Sequence, residues 1–231
     1  MRTLQEHNSI SVVIPTLNAV GTLTDCLAAL SGSGLVCEVT IADGGSGDET
    51  VSVAQASGAR VVAASRGRGI QLAAGVKATT GAWLLFLHAD CRLAPGSETA
   101  VRSFIEAPGA AGHAGYFALA LDDPAPAARR LERIVAWRCR VLGLPYGDQG
   151  LLISRRLYDA LGGFAAIPLM EDVDLARRLG RKRLAPIEAC ITASAQRYRD
   201  GGYIRRPLRN FLCLSLYFAG IAPRRIARLY G

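Results

Sequence analysis

The sequence predicts an α/β protein built on a doubly wound, mainly parallel sheet. Short apolar runs alternate with segments of helical periodicity through the first half of the chain. Each run is followed by polar or glycine-rich residues, as expected where the carboxyl ends of parallel strands meet at one edge of a sheet. Half of the 231 residues are hydrophobic and a fifth are charged, which is enough apolar material for one substantial core.

Four strands are predicted in the first half, at residues 10–14, 38–42, 60–63 and 83–87. We expect Pro15 to end the first strand. Leu23, Leu27 and Leu30 share one face of the helix predicted to follow it. A further helix is predicted from residue 65 to about residue 79. The fourth run is entirely apolar, which favours a strand buried on both faces.

The second half is less regular. Strands are predicted at residues 113–121 and 151–154, with a helix between them, and another helix is predicted to open near Met170. Residues 203–222 form a helical pattern rich in Leu and Phe. Three roles are weighed for this last helix: packing on the domain, which we favour, contact with a membrane surface, and dimerisation.

The net charge of +8 fits a polyanionic ligand, an anionic membrane surface or nucleic acid, and does not choose among them. Aromatic residues are not interleaved with the basic clusters, so nucleic-acid binding is not predicted. The six cysteines form no CxxC pair, and a reducing cytoplasm is the simplest compartment for them. Residues 1–7 lack the apolar region of a signal peptide, and no run approaches the roughly 18 apolar residues of a membrane span.

Polar side chains cluster where the strands are predicted to end. His88 and Asp90 follow the fourth strand, and a carboxylate there suits Mg²⁺ or Mn²⁺, which in turn suits a phosphate. Asp43 opens a glycine-rich loop. Two interpretations of this loop are weighed equally: contact with a ligand hydroxyl or base N–H, and an ordinary strand-to-helix turn. Arg66 and Arg68 lie among glycines at a helix start and form a candidate pyrophosphate clamp. For each of these residues the alternative is a solvated or capping role.

Several motifs together resemble glycosyltransferase family 2. They are residues 12–18 (Val-Val-Ile-Pro-Thr-Leu-Asn), residues 43–46 (Asp-Gly-Gly-Ser), the stretch ending His88-Ala-Asp90, and Glu171-Asp172, in that order. Residues 67–75, 86–90, 146–150 (Tyr-Gly-Asp-Gln-Gly), 168–174 (Pro-Leu-Met-Glu-Asp-Val-Asp) and 220–230 look more narrowly like one compact bacterial branch. The resemblance covers nearly the whole chain.

The resemblance implies a GT-A fold, a Rossmann-like sheet with an elaborated C-terminal acceptor region and C-terminal helices. It implies one domain over residues 1–231, with a nucleotide-sugar half at about 9–121 and an acceptor half at about 122–231. It also implies a nucleotide-diphosphate sugar donor, for which a UDP-sugar is favoured, a Mg²⁺ or Mn²⁺ ion, and usually inversion at the anomeric carbon.

The resemblance assigns roles to individual residues. Asp172 matches the catalytic base, although acidic residues are also common in the first turn of a helix. Asp90 is the metal and diphosphate residue, and His88, which replaces the family's first acid, is a second candidate ligand. Asp43 matches the nucleoside-binding acid, and Gly44 stands where many relatives have another acid. The other candidates for nucleotide, sugar or acceptor contact are Pro15, Thr16, Asn18, Arg66, Arg68, Gln71, Ala89, Asp148, Gln149, Gly163, Phe164 and Glu171.

The predicted function is metal-dependent, hexosyltransferase-like transfer of a sugar to an acceptor hydroxyl. One alternative is a sugar-phosphate nucleotidyltransferase, which would need a basic glycine-rich loop that residues 12–18 lack. Another is a non-enzymatic module that binds nucleotide or an anionic surface, which the acids at the strand ends disfavour. The sequence does not identify the acceptor. We expect a cytoplasmic protein. If the terminal helix contacts lipid, the protein lies at the inner face of the membrane; the competing role of that helix is to form a homodimer.

Overall fold

The computed structural model describes residues 8–31, 34 and 36–230, so residues 1–7, on which the signal-peptide expectation rests, lie outside it. One sheet of eight strands runs through the described residues in the order β3-β2-β1-β4-β7-β6-β8-β5. The strands are β1 (Ile10–Thr16), β2 (Val36–Asp43), β3 (Arg60–Ala63), β4 (Trp83–Phe86), β5 (Cys91–Leu93), β6 (Ala114–Leu121), β7 (Leu151–Ser154) and β8 (Leu184–Ala193).

Helices cover both faces of this sheet. They are α1 (Val20–Ser31), α2 (Thr50–Ala56), α3 (Arg68–Lys77), α4 (Ser97–Glu106), α5 (Pro126–Leu142), α6 (Arg155–Ala160), α7 (Glu171–Leu179), α8 (Gln196–Gly201), α9 (Arg205–Phe218) and α10 (Pro223–Tyr230). Alternate residues of β1 pack into different cores, Val12 and Ile14 on one face and Val13 on the other. Burial on both faces explains why this strand is a continuous apolar run.

The doubly wound parallel region is confirmed. Strand β1 pairs in parallel with β2 and β4, and β2 pairs in parallel with β3. The remainder is mixed, because β7 is antiparallel to both β4 and β6, β6 is parallel to β8, and β5 is antiparallel to β8. The sequence did not predict strands β5 and β8 or helices α4, α6, α8 and α10.

The prediction that Pro15 ends the first strand is wrong. Strand β1 continues to Thr16, which pairs with Asp43 of β2. The carbonyl of Val13 accepts a hydrogen bond from the N–H of Leu87 on the β4 side. The backbone nitrogen of Pro15, two residues later, faces the same side, and proline has no N–H to donate there. Because β4 ends at Phe86, no ladder bond is lost there, and proline is tolerated.

The single helix predicted over residues 203–222 is also corrected. Helix α9 ends at Phe218, and α10 begins at Pro223. Gly220, at φ +84°, and the following proline account for the break, since this backbone favours glycine and proline cannot continue the helix. Among the described residues, no helix is both long enough and apolar enough to cross a membrane.

Candidate active site

An open cavity of about 880 Å³ lies beyond the carboxyl ends of β1 and β4. It is lined by Pro15 and Thr16 at the end of β1, Asn18 just after it, Ala89 and its neighbours after β4, and Arg66 and Arg68 at the start of α3. A smaller adjoining cavity of about 80 Å³ shares Arg68, His88 and Asp90 and adds Asp148 and Asp172. Arg66, Arg68, His88 and Asp90 therefore border these cavities together, with residues from both halves of the chain, whereas Asp43 lines neither cavity.

His88 and Asp90 lie in a tight turn after β4, in which the Cys91 N–H donates to the His88 carbonyl at 3.1 Å. The Asp90 carboxylate is 3.7 Å from the guanidinium of Arg197. Burial, reinforced by the charge of Arg68, lowers the pKa of His88 to about 4, against the opposing effect of Asp90 and Asp172. The imidazole is therefore neutral near pH 7 and has a lone pair that can bind a metal.

Asp90 and His88 fit a metal ion that is held mainly by its substrate. No group of three or more His, Cys, Asp or Glu side chains surrounds one point in the described part of the chain. Mg²⁺ usually takes only one or two carboxylates from the protein and completes its shell with phosphate and water oxygens. A carboxylate beside a neutral imidazole, open to the large cavity, satisfies that requirement.

The Asp172 carboxylate is fixed by two backbone hydrogen bonds at the start of α7. The Gly147 N–H donates to Oδ2 at 2.9 Å, and the Val173 N–H donates to Oδ1 at 2.7 Å. The side chain borders the smaller cavity that also holds Asp90. A carboxylate oriented in this way can accept a proton from a group bound in that cavity.

Gly147 lies so close to His88 that a methyl group there would collide with the imidazole Nε2 and lie 2.8 Å from Cε1. We expect Gly147→Ala to lower the free energy of unfolding by about 1–3 kcal/mol, because overpacking forces the ring or the loop to move. Urea unfolding measures the loss, and His88→Ala in the same chain should restore much of it.

Gly47→Ala is the matched control for this substitution. A methyl group at Gly47 would meet no atom within 4 Å, and its N–H would still donate to Asn18. Equal destabilisation by the two alanine variants would show that the contact with His88 is not the cause.

Glu171, next to the candidate base, is a buried carboxyl without a hydrogen-bond partner among the described residues. It is 1% exposed, and neither of its carboxyl oxygens is paired. Burial, followed by the charge of Asp172, raises the pKa of Glu171 to about 8, while Arg68 opposes the rise. Near neutral pH this side chain therefore largely keeps its proton. It borders an apolar cavity with Phe86 and Phe164, and this cavity shares His88 and Asp172 with the smaller cavity described above.

The start of α3 does not offer free N–H groups to a pyrophosphate. The Arg68 N–H donates to the Pro168 carbonyl at 3.4 Å, and the Gly69 N–H donates to the Ile167 carbonyl at 3.1 Å. The helix terminus is thus used to hold the loop before α7. Of the predicted clamp, only the side chains reach the cavity: Arg66 is exposed, and Arg68 lies 5.9 Å from the ring centre of Tyr230.

Asp43 is buried, and its carboxylate accepts hydrogen bonds from Thr16 and from residues of its own loop. It accepts hydrogen bonds from the Thr16 hydroxyl at 3.0 Å, the Gly45 N–H at 2.9 Å, and the N–H and hydroxyl of Ser46 at 2.8 and 2.5 Å. Burial alone would raise the pKa of Asp43, but the bonds from Ser46, Thr16 and Gly45 lower it below its ordinary value. A contact between Asp43 and a nucleoside stays a prediction.

Gln71 has a structural role that the sequence did not indicate. Its Nε2 donates to the carbonyls of Thr16 at 2.7 Å and Ala42 at 2.8 Å, and its Oε1 accepts from the Gly67 N–H at 3.3 Å. The amide thereby joins the ends of β1 and β2 to α3. A methyl group at Gly44 would lie 3.0 Å from this amide, so Gln71 fills the space that a side chain at position 44 would use.

The four residues predicted to shape the sugar and acceptor pocket separate into two groups. Asp148 lines the smaller cavity, and Phe164 lines the apolar cavity. Burial raises the pKa of Asp148 despite the opposing charge of Arg138. Gln149 is instead buried, with its amide bonded to the Phe117 carbonyl and the Arg138 guanidinium, and Gly163 forms a turn in which its N–H donates to the Tyr158 carbonyl. The last two line none of the three cavities described here, and their contact with a sugar or acceptor stays a prediction.

The C-terminal helices bring residues to the cavities that the sequence analysis did not single out. They are Arg197, Tyr198, Arg206, Arg209, Asn210 and Tyr230. Arg209 lies 5.1 Å from the ring centre of Tyr230, the same ring that Arg68 approaches. The only local signal for them was the density of arginine and tyrosine after residue 196.

The fold is that of the GT-A glycosyltransferases. The chain is similar to glucosyl-3-phosphoglycerate synthase from Mycobacterium tuberculosis, solved with Mn²⁺, UDP and glucosyl-3-phosphoglycerate, with 23% identity, TM-score 0.57, and coverage of 90% of this chain and 80% of that one. It is also similar to mannosyl-3-phosphoglycerate synthase from Rubrobacter xylanophilus (18% identity, TM-score 0.60, coverage 92% and 75%). A mannosyltransferase from Pyrobaculum calidifontis, solved with GDP-Man and Mn²⁺, gives 16% identity, TM-score 0.63, and coverage of 87% and 59%.

The sequence itself identifies the family. The family model described as glycosyl transferase family 2 matches residues 11–167, more than half of the chain. The protein therefore belongs to glycosyltransferase family 2 and is a glycosyltransferase. Among curated protein sequences, no match to the chain was found.

Proposed function

We propose that this enzyme transfers a sugar from a nucleotide-diphosphate sugar, with a UDP-sugar favoured, to an acceptor hydroxyl with inversion at the anomeric carbon. The observation that carries the proposal is the convergence of Arg68, Asp90 and Asp172 on one cavity in a chain of this family. These side chains supply a cation for the diphosphate, a carboxylate for a metal, and a base for the acceptor.

The chain's own residues account for the transfer step. Asp172, held by the Gly147 N–H, accepts the proton of the acceptor hydroxyl as its oxygen attacks the anomeric carbon. The bond from that carbon to the diphosphate oxygen breaks on the opposite face of the sugar, which inverts the centre. Arg68 and Arg197 border the same cavity and stabilise the charge on the departing nucleoside diphosphate.

Asp90, with His88 as second ligand, would hold the Mg²⁺ or Mn²⁺ ion. When bound, the ion supplies charge neutralisation for the diphosphate leaving group. Two of the structurally similar enzymes described above were solved with Mn²⁺ and a nucleotide or nucleotide-sugar, which supports this part of the proposal.

A thermal-shift titration with UDP-sugars and GDP-sugars, with and without Mn²⁺, tests the donor and metal together. We expect one nucleotide-sugar to raise the melting temperature in a metal-dependent way, because a ligand that binds only the folded state stabilises it. Asp90→Asn should abolish the metal-dependent part of the rise. Release of nucleoside diphosphate on transfer is expected, and release of pyrophosphate would overturn the proposal.

Asp159→Asn is the matched control for the Asp90 variant. Asp159 is an exposed carboxylate in α6, away from both cavities. Its replacement should leave the metal-dependent shift unchanged. A shift that survives in the Asp90 variant would remove Asp90 from the metal site.

The proposal extends to the setting of the enzyme. It is a cytoplasmic protein whose residues 9–121 bind the donor and whose residues 122–231 receive the acceptor, within one domain. A membrane surface and a second copy of the chain compete as occupants of the exposed face of α9.

A further inference from the structure

Helix α9 turns its polar side inward and its apolar side outward. Ile204, just before it, and Leu208, Phe211, Leu212 and Phe218 are between 50% and 74% exposed. Their three- and four-residue spacing places them on one stripe of the helix. The opposite side carries Arg206, Arg209 and Asn210, which border the candidate active site.

This arrangement of polar and apolar sides is the reverse of that in a helix that packs only on its own domain. A surface helix normally buries its apolar stripe and exposes its polar residues. In α9 only Cys213 and Leu214 are buried, in a small core with Ile226 of α10. Leu216 and Tyr217 pack against this core, but the exposed side chains of the stripe do not, so the stripe is available to an external surface.

The charge around the stripe indicates what kind of external surface the stripe contacts. Residues 201–230 contain six arginines and no acidic residue. Of these, Arg205, Arg224 and Arg225 are exposed and border neither cavity of the candidate active site. Exposed Leu and Phe together with arginine are the composition of helices that lie in the interface of an anionic bilayer.

We propose that the exposed face of α9 docks on an anionic lipid surface, with its apolar stripe among the acyl chains and the exposed arginines on the head groups. A second copy of the chain is disfavoured as the occupant, because its equivalent face carries the same uncompensated positive charge. The docked orientation places the arginines of the inner side of α9 between the lipid surface and Asp172.

Sedimentation of the full chain with phospholipid vesicles tests this surface. We expect binding to phosphatidylcholine vesicles that contain phosphatidylglycerol, and little binding to phosphatidylcholine alone. Combined Leu208→Gln, Phe211→Ser and Leu212→Gln should weaken binding by about tenfold or more, since each removes apolar area from the interface. Combined Arg205→Gln, Arg224→Gln and Arg225→Gln should weaken it by roughly 100-fold on anionic vesicles.

A matched control is available on α5. Ile134, Val141 and Leu142 are exposed apolar residues of that helix, and their triple glutamine variant should bind vesicles as the unmodified chain does. Loss of binding in the α5 variant with retention in the α9 variant would overturn the assignment. Equal binding to neutral and anionic vesicles, or no binding to either, would also overturn it.

Sedimentation equilibrium without lipid addresses the competing occupant. We expect a monomer whose mass is unaffected by the α9 substitutions. A dimer that dissociates in the Leu208, Phe211 and Leu212 variant would show that a second copy covers the face. Vesicle binding requires no donor, metal or turnover, so its failure would be distinguishable from failure of the proposed transfer.

Discussion

Replacing Asp172 with asparagine is expected to lower the rate of sugar transfer by about 10²–10⁴-fold, the usual contribution of a positioned general base. The amide cannot accept the hydroxyl proton, yet it keeps the size of the carboxyl group, so donor affinity should change little. Single-turnover transfer with saturating donor measures the rate, and calorimetry with the nucleotide-sugar measures the affinity.

Asp174→Asn is the control for this substitution, because Asp174 lies in the same first turn of α7. Its carboxylate pairs with Arg178 at 2.5 Å instead of facing the cavity. We expect this variant to retain transfer. Transfer that persists in the Asp172 variant would mean that another group accepts the proton.

Replacing Glu171 with glutamine is expected to stabilise the protein increasingly as the pH rises. The ordinary pKa of 4.5 is raised to about 8 by burial, so between these values the folded chain holds a proton that the unfolded chain has released. Stability therefore falls with pH across this window, on the order of 1.4 kcal/mol per pH unit at its steepest. Glutamine stays neutral throughout and avoids this loss.

Urea unfolding of both proteins at about pH 5, 6.5 and 8 measures this difference. The free energy of unfolding of the glutamine variant should exceed that of the unmodified chain by a margin that widens toward pH 8. Glu49→Gln, at an exposed carboxylate before α2, should show no such widening. A constant difference at the three pH values would show that Glu171 is already ionised when folded.

The parallel part of the fold and the centre of the site were predictable from the sequence for one physical reason. Strands buried on both faces are continuous apolar runs, and the polar residues that end them meet at one edge. His88 and Asp90 could be placed by that rule alone. Asp172 needed the resemblance to the family, because an acidic first turn of a helix is equally consistent with capping.

The remaining strands and side-chain contacts depend on tertiary packing, which produces no periodic pattern in the sequence. Strand β8 carries Pro186 and alternates irregularly in burial, so it has neither the run nor the alternation that predicts a strand. Gln149 and Gln71 have the chemistry of ligand-binding residues, but their amides donate to backbone carbonyls of Phe117, Thr16 and Ala42. Tyr230 reaches the cavity only because α10 folds back after Gly220.

The unbroken sheet restricts how substrates can enter and leave. Its order passes from β4 directly to β7 through paired backbone hydrogen bonds, so the two parts of the sheet on either side of this pair cannot separate as hinged lobes without breaking that ladder. One wall of the cavity is formed by α8, α9 and α10, which bring Arg197, Arg206 and Tyr230 to it. We therefore expect rearrangement of this helical wall to control the passage of substrates and products. The rate of turnover should then depend on the rate of that rearrangement.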